Sequence, residues 1–240
     1  MSNDYLILVS GKSATGKSAS LRNLKDHNTI LYANCESGKK LPFKNNFKYN
    51  LTITNPNQMS QVFAKANADD EIKVVIIDTL TFLLDMYVSQ FVRNAPDGRA
   101  AWGDFAEYFR NMMQQQVATC KKTVIFLAHT LDVYNESTLS MESYVPVPGS
   151  LKNQGVEAWF SLVVSTKKIR IDEELKDNAL MTITPRERAV GYKHVFQTQI
   201  TKETTGERIR GPMGMFEEDE IFMDNDLQLL IDRLHNYYTA

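Results

Sequence analysis

Near the start of the chain, Gly11-Lys12-Ser13-Ala14-Thr15-Gly16-Lys17-Ser18 spells G-x-x-x-x-G-K-S. At average residue usage the four fixed positions would arise by accident in a chain of this length about one time in a hundred. The flanks narrow that further. Residues 5–10 are short, apolar and β-branched enough for a buried strand. Residues 18–27 carry helix formers, with Leu21 and Leu24 on one face. Strand, glycine loop and helix is the context in which this pattern cradles phosphate. Gly11 and Gly16 let the backbone turn and bring its N–H groups to an anion with no Cβ in the way. The helix N-terminus adds free donors and partial positive charge. Lys17 can reach the β- and γ-phosphate oxygens, the Ser18 hydroxyl can ligate Mg²⁺, and Ala19 continues the cradle. The stretch reads as a nucleotide site within layered α/β architecture.

The bulk properties bound the rest. A chain of 240 residues fits one α/β domain over 1–240, with a hairpin and closing helix over about 200–240. A net charge of -2 excludes a global basic field, so any nucleic-acid contact needs a local patch. The two cysteines, Cys35 and Cys120, have no metal or redox spacing and suit a reducing compartment. With no signal pattern and no apolar run of spanning length, the expected location is cytoplasmic, without a membrane partner.

Along the chain, residues 29–34 read as a second strand. Asn55-Pro56 reads as an N-cap with proline at the first helical position, opening a helix to about Ala68. Residues 73–78 form a continuous apolar run suited to a central parallel strand. An amphipathic helix is expected over 82–92 and a loop over 93–98. Phe105, Tyr108, Phe109, Met112, Met113, Val117 and Cys120 fall at helical spacing, as a core stripe does. Residues 123–128 make another buried strand. Residues 130–150, polar and containing Pro146, Pro148 and Gly149, are too long for an ordinary connection and read as a functional or mobile loop. Later strands are expected over 159–167, 179–184 and 193–200, then a charged turn over 201–211 and a helix over 226–238. The sheet should be mostly parallel, flanked by helices and finished by antiparallel hairpins.

Asp78 ends the clearest strand, where an acid can support Mg²⁺; the alternative is a helix-capping aspartate. Thr79 follows it, so a base for an attacking water must lie elsewhere. Ligands of parallel sheets bind at the carboxyl ends of strands. Glu36 and His129 end two such strands and would converge with the loop there. The alternatives are a solvated loop acid and a satisfied core histidine.

This order resembles the RecA-like recombination ATPases: P-loop, strand ending in Glu, metal-binding acid without a second acid, strand ending in a polar sensor, then a Gly/Pro loop and hairpins. The resemblance implies a RecA-like P-loop core using ATP and Mg²⁺, with Glu36 activating water, Lys17 on phosphate and His129 sensing the γ-phosphate. It implies a homo-oligomer, ring or filament, with ATP at subunit interfaces and a cation supplied by the neighbour; Lys202, Arg208 and Arg210 are candidates. Residues 131–150 fall where the second DNA-binding loop lies and 93–103 near the first. Arg93, Arg99, Tyr134, Tyr144 and Lys152 are therefore candidate contacts for single-stranded DNA, with Lys39, Lys40 and Lys44 as added charge. The chain has no assembly domain before its first strand, and so is similar to compact phage-encoded members acting in annealing, recombination or repair. Two rivals stay open. One is a nucleotide-switched assembly or regulatory ATPase that touches no DNA. The other is a small-molecule kinase, for which Arg186-Glu187-Arg188 could form a lid.

Overall fold

The computed structural model describes residues 3–137, 139–172 and 175–239. Thr138, inside the expected second loop, lies outside the described residues, as do Glu173 and Glu174. The strands are β1 (Leu6–Gly11), β2 (Ile30–Asn34), β3 (Tyr49–Thr52), β4 (Val74–Asp78), β5 (Thr123–His129), β6 (Leu131–Asn135), β7 (Ser140–Tyr144), β8 (Leu162–Arg170), β9 (Tyr192–Gln197) and β10 (Phe222–Asp224). The α-helices are α1 (Met59–Ala68), α2 (Leu80–Tyr87), α3 (Gly98–Asn111), α4 (Leu151–Gln154), α5 (Pro185–Val190) and α6 (Leu227–Thr239). Eight strands make one sheet in the order β10-β9-β8-β1-β5-β4-β2-β3. From β3 to β8 neighbours run parallel, and β9 and β10 close the far edge antiparallel.

Each central strand is apolar throughout because helices cover both faces. Side chains alternate across the sheet. Leu8, Leu31, Val75, Ile77, Val124 and Phe126 face a core with Phe63, Leu83, Phe105 and Phe109. Ile7, Val9, Ile76, Ile125 and Leu127 face the other, with Leu21, Leu24 and the α6 residues Leu227, Leu230 and Leu234. The aromatic stripe expected over 105–120 is core: Phe105, Phe109, Met112 and Val117 are fully buried. The α1 entry is also as expected. The Asn55 side chain accepts from Asn57 N, Gln58 Oε1 accepts from Asn55 N at 3.0 Å, and Pro56 takes the first turn.

Four expectations need correction. The segment after the glycine loop is a single 3₁₀ stretch, Ser18–Asn23, rather than a helix to residue 27. Its polar groups bond elsewhere: Ser20 Oγ donates to Lys17 O, Arg22 Nη1 to Asn225 O, and Lys25 N to Gln228 Oε1. These bonds turn the chain onto the start of α6. Residues 131–135 and 140–144 are not irregular, because there β6 and β7 pair antiparallel and satisfy each other's backbone. Residues 179–184 form no strand. They hold a turn with a lone Asn178–Met181 bridge, and Asp224 N donates to Leu180 O. The strand expected over 159–167 begins later, at Leu162, after a 3₁₀ turn at Val156–Trp159.

Candidate nucleotide site

Strand order places the candidates. β5 lies between β1 and β4, and pairing sets Gly11 opposite His129, Leu127 opposite Asp78, and Asp78 opposite Asn34. The ends of β2, β4 and β5 therefore stand in a row beside the glycine loop. They share a cavity of ≈ 750 Å³ lined by Ser13, Ala14, Gly16, Lys17, Ser18 and Ala19 together with Glu36, Asp78 and His129. This size suits a nucleotide. Gly11, Lys12 and Thr15 face a second, smaller cavity instead. Lys12 pairs there with Asp132 of β6, and Thr15 Oγ1 meets Thr166 Oγ1.

Lys17 is buried and its Nζ donates to Gly11 O at 2.8 Å and Lys12 O at 2.7 Å. Desolvation pulls its pKa down to about 8, against the attraction of Asp78 and Glu36. An anion in the loop would exchange those carbonyl partners for phosphate. Gly16 takes φ +106°, a conformation that costs a side-chain-bearing residue energy.

Asp78 is 2% exposed. Its Oδ2 accepts from Ser18 Oγ at 3.1 Å and from Tyr32 OH at 2.8 Å, while Oδ1 has no partner among the described residues. Burial raises its pKa. A buried carboxylate with an orphaned oxygen, touching the loop serine, fits a cation, whose charge would stabilise the ionised form. No cluster of three or more metal-ligating side chains occurs among the described residues. Mg²⁺ at nucleotide sites needs none, being held by one or two protein groups and the phosphates.

Glu36 is held from two sides: Oε2 accepts from Lys39 Nζ at 2.9 Å, and Oε1 lies 3.3 Å from His129 Nε2. Burial raises its pKa, but the bonds to Lys39 and His129 outweigh this, leaving the carboxyl below its usual range. His129 is lowered by burial and by Lys17, despite Glu36. At neutral pH the pair is thus carboxylate and neutral imidazole, with the Nε2 proton assigned by the contact with Glu36. Thr81 Oγ1 accepts from His129 N at 3.3 Å, and the Phe82 ring lies 5.7 Å from the imidazole.

Tyr32, Lys39 and the wall beyond the loop escaped the sequence reading. Tyr32 looked like strand core, and Lys39 like part of a basic loop. Arg186 does line the cavity, but on a capped helix, α5. Lys40 also lines this cavity and Lys44 an adjoining one, whereas the other candidates lie apart from it. Arg208 Nη1 donates to Glu157 Oε2 at 3.1 Å and its guanidinium covers Tyr144. Arg210 pairs its backbone with Val163, and Lys202 is exposed. Arg93 reaches Asp85 at 3.6 Å, and Arg99 lies in the first turn of α3. Tyr144 and Lys152 line a separate cleft with Thr81, Leu131 and Pro148, and Tyr134 is exposed on β6.

A phosphate loop on β1, a strand between it and the acid-bearing β4, and a mostly parallel sheet finished by antiparallel strands define the fold of a RecA-like P-loop ATPase. The model of the family described as AAA domain matches residues 3–207, and the chain belongs to that family. No curated protein matches it at a significant level. Among solved structures, the flagellar accessory protein FlaH from Methanocaldococcus jannaschii is similar at 12% identity and a TM-score of 0.41, over 82% of this chain and 78% of that one. No described helix is long and apolar enough to cross a membrane.

Proposed function

We propose that the chain, as one unit over 1–240, is a Mg²⁺-dependent ATP hydrolase whose water-activating base is Glu36. The observation that carries this is the Glu36 carboxylate itself. It is 9% exposed, ionised, fixed by Lys39 and His129, and set across one cavity from Lys17. The backbone of the loop residues that line the cavity, Ser13, Ala14 and Gly16 to Ala19, and the Lys17 side chain bind and orient the triphosphate. Ser18 and Asp78 would hold Mg²⁺, which when bound neutralises phosphate charge and aligns the terminal phosphoryl group. Glu36 accepts a proton from the attacking water, and positioning does most of the remaining work. A kinase reading finds less support: Arg186 lines the cavity but stands on the capped helix α5, and Glu36 is already tied to Lys39 and His129.

The partner is proposed as single-stranded DNA, in phage-type recombination, annealing or repair, with homo-oligomers binding ATP between subunits. What supports it is a short path. His129 N bonds Thr81, and Thr81 lines the cleft that holds Tyr144 and Lys152, so loss of the γ-phosphate has a route to that cleft. One observation favours the second reading, a nucleotide-switched assembly without DNA. Residues 130–150 contain Asp132, Glu136 and Glu142 but no Lys or Arg, and phosphate contact needs cations.

Steady-state ATP hydrolysis with and without single-stranded DNA, at low and moderate salt, decides between them. Stimulation that salt suppresses, lost in Glu36→Gln, is the expected result. Equal turnover with and without DNA rejects the DNA partner and leaves the assembly ATPase. Glu36→Gln should lower turnover by about 10²–10⁴-fold while ATP still binds. Unchanged turnover in that variant would reject Glu36 as the base.

A further inference from the structure

Beside the nucleotide cavity, toward the carboxyl ends of β2 and the edge strand β3, lies a groove of ≈ 760 Å³. Lys39, Lys40 and Lys44 line it, and among the described residues no acid does. Residues 39–42 line both spaces and form the wall they share. We propose that this groove binds the sugar–phosphate backbone of single-stranded nucleic acid, and that Lys39 then exchanges Glu36 for a strand phosphate. The groove shares no residue with the cleft of Tyr144 and Lys152, and it supplies the cations that residues 130–150 lack. The exchange at Lys39 rests on Glu36 being the base, as read above.

The whole chain carries a net charge of -2, so a groove whose charged lining is lysine alone is a local departure. Nearby Lys48 is tied to Asp69 and Glu71. Lys40 and Lys44 are exposed and have no ion-pair partner among the described residues. Unpaired ammonium groups along a groove suit a repeating anion, because each phosphate they neutralise releases a counterion. The half-buried ring of Phe43 lines the same groove. An aromatic ring in a basic groove is a stacking platform for unpaired bases, which a bare polyanion does not offer.

Lys39 joins the two spaces. Its Nζ donates to Glu36 Oε2 at 2.9 Å, yet its side chain is 70% exposed against 9% for Glu36. The backbone beneath it is fixed, since Asn34 Nδ2 donates to Lys39 O at 2.8 Å and Lys39 N donates to Glu36 O at 3.0 Å. Only the lysine side chain has to swing, and it uncovers no core in doing so. An ion pair with so exposed a partner is weak enough for a phosphate to compete for it. Glu36 then keeps His129, and a carboxylate relieved of an ammonium partner is the stronger base. Strand binding in the groove thereby speeds hydrolysis.

Fluorescence anisotropy with a labelled oligothymidylate, repeated over a range of salt, tests the groove. Each lysine–phosphate contact contributes about 0.7 to the slope of log affinity against log salt for a single strand. The double variant Lys40→Ala, Lys44→Ala should bind more weakly and flatten that slope by about 1.4. The double variant Lys121→Ala, Lys176→Ala makes the same charge change elsewhere and should match wild type. Phe43→Leu should weaken binding and keep the slope. A wild-type slope in the Lys40, Lys44 variant overturns the groove as the strand's site. Unchanged affinity in Phe43→Leu overturns the assignment to nucleic acid. Hydrolysis tests the exchange: oligothymidylate should raise turnover in wild type and leave Lys39→Met at one rate with and without it. Equal stimulation in both overturns Lys39 as the link. Wild type that hydrolyses ATP but binds no oligothymidylate overturns the groove and leaves the ATP reading standing. Wild type that binds oligothymidylate but hydrolyses no ATP overturns the ATP reading and the exchange, and leaves the groove.

Discussion

Burial and hydrogen bonding pull on Glu36 in opposite directions, and hydrogen bonding wins through Lys39 and His129. Lys17 and Asp78 are the other charges near this group. A carboxyl whose folded pKa is depressed contributes stability above its unfolded value, near 4.5, and loses it as pH falls through the folded one. Lys39→Met removes the larger of the two bonds and lets burial dominate. The Glu36 pKa then rises, and the acid limb of the hydrolysis pH profile should move to higher pH than in wild type. An unmoved limb would mean that Lys39 only decorates the site. Glu36, His129 and Asp78 were legible because strand ends are easy to find and parallel sheets bind ligands there. Lys39 and Tyr32 were not, since neither has a motif. Tyr32 matters only because β2 lies beside β4, a pairing that no local pattern records.

At the scale of elements, legibility followed local chemistry. The central strands and α1 carry signals that act over a few residues: apolar runs in one case, Asn55-Pro56 and Gln58 in the other. Asn55→Ala should therefore cost about 1 kcal/mol of unfolding free energy, because it removes the cap and leaves helical N–H groups unpaired. A urea melt measures it, and a change near zero would assign α1's stability to packing alone. α5 had equally good signals in Thr184, Pro185, Glu187 and Gly191, yet residues 179–184 before it looked like the element. Leu180, Met181 and Ile183 are buried there with no more than a lone bridge pairing the stretch, and Leu180 O accepts from Asp224 N of β10. Hydrophobic spacing alone does not separate those two cases. The β6–β7 hairpin was missed for the reverse reason. Its strands expose Leu131, Tyr134 and Met141, so they lack the apolar face by which a strand is recognised.

For the whole molecule, the question is whether the site is complete within one chain. None of Lys202, Arg208 and Arg210 lines the nucleotide cavity of its own chain, so each can act only on a neighbour or not at all. They differ in what it costs to free them. Arg208 is tied to Glu157, which is buried and also accepts from Val145 N at 2.7 Å. Arg208→Ala strands that carboxylate and should lower the melting temperature, with a cost of about 1–3 kcal/mol. Lys202 has a side chain 91% exposed, and its ion pair with Glu203 is a surface one, so Lys202→Ala should leave melting unchanged. A cation presented between subunits must be available without dismantling its own fold, and Lys202 meets that condition better than Arg208. The mixing experiment follows. Lys202→Ala keeps its own base but offers no cation, while Glu36→Gln offers the cation but has no base. Each alone should hydrolyse ATP poorly. Mixed and allowed to assemble, some interfaces pair an intact Glu36 with an intact Lys202, and activity should rise above the sum of the separate variants. A trans cation can be worth about 10³-fold or more in rate, so even a minority of such interfaces would register. Strict additivity would mean that Lys202 acts in no neighbour's site, and the same mixture made with Arg210→Ala would then identify or exclude the remaining exposed candidate.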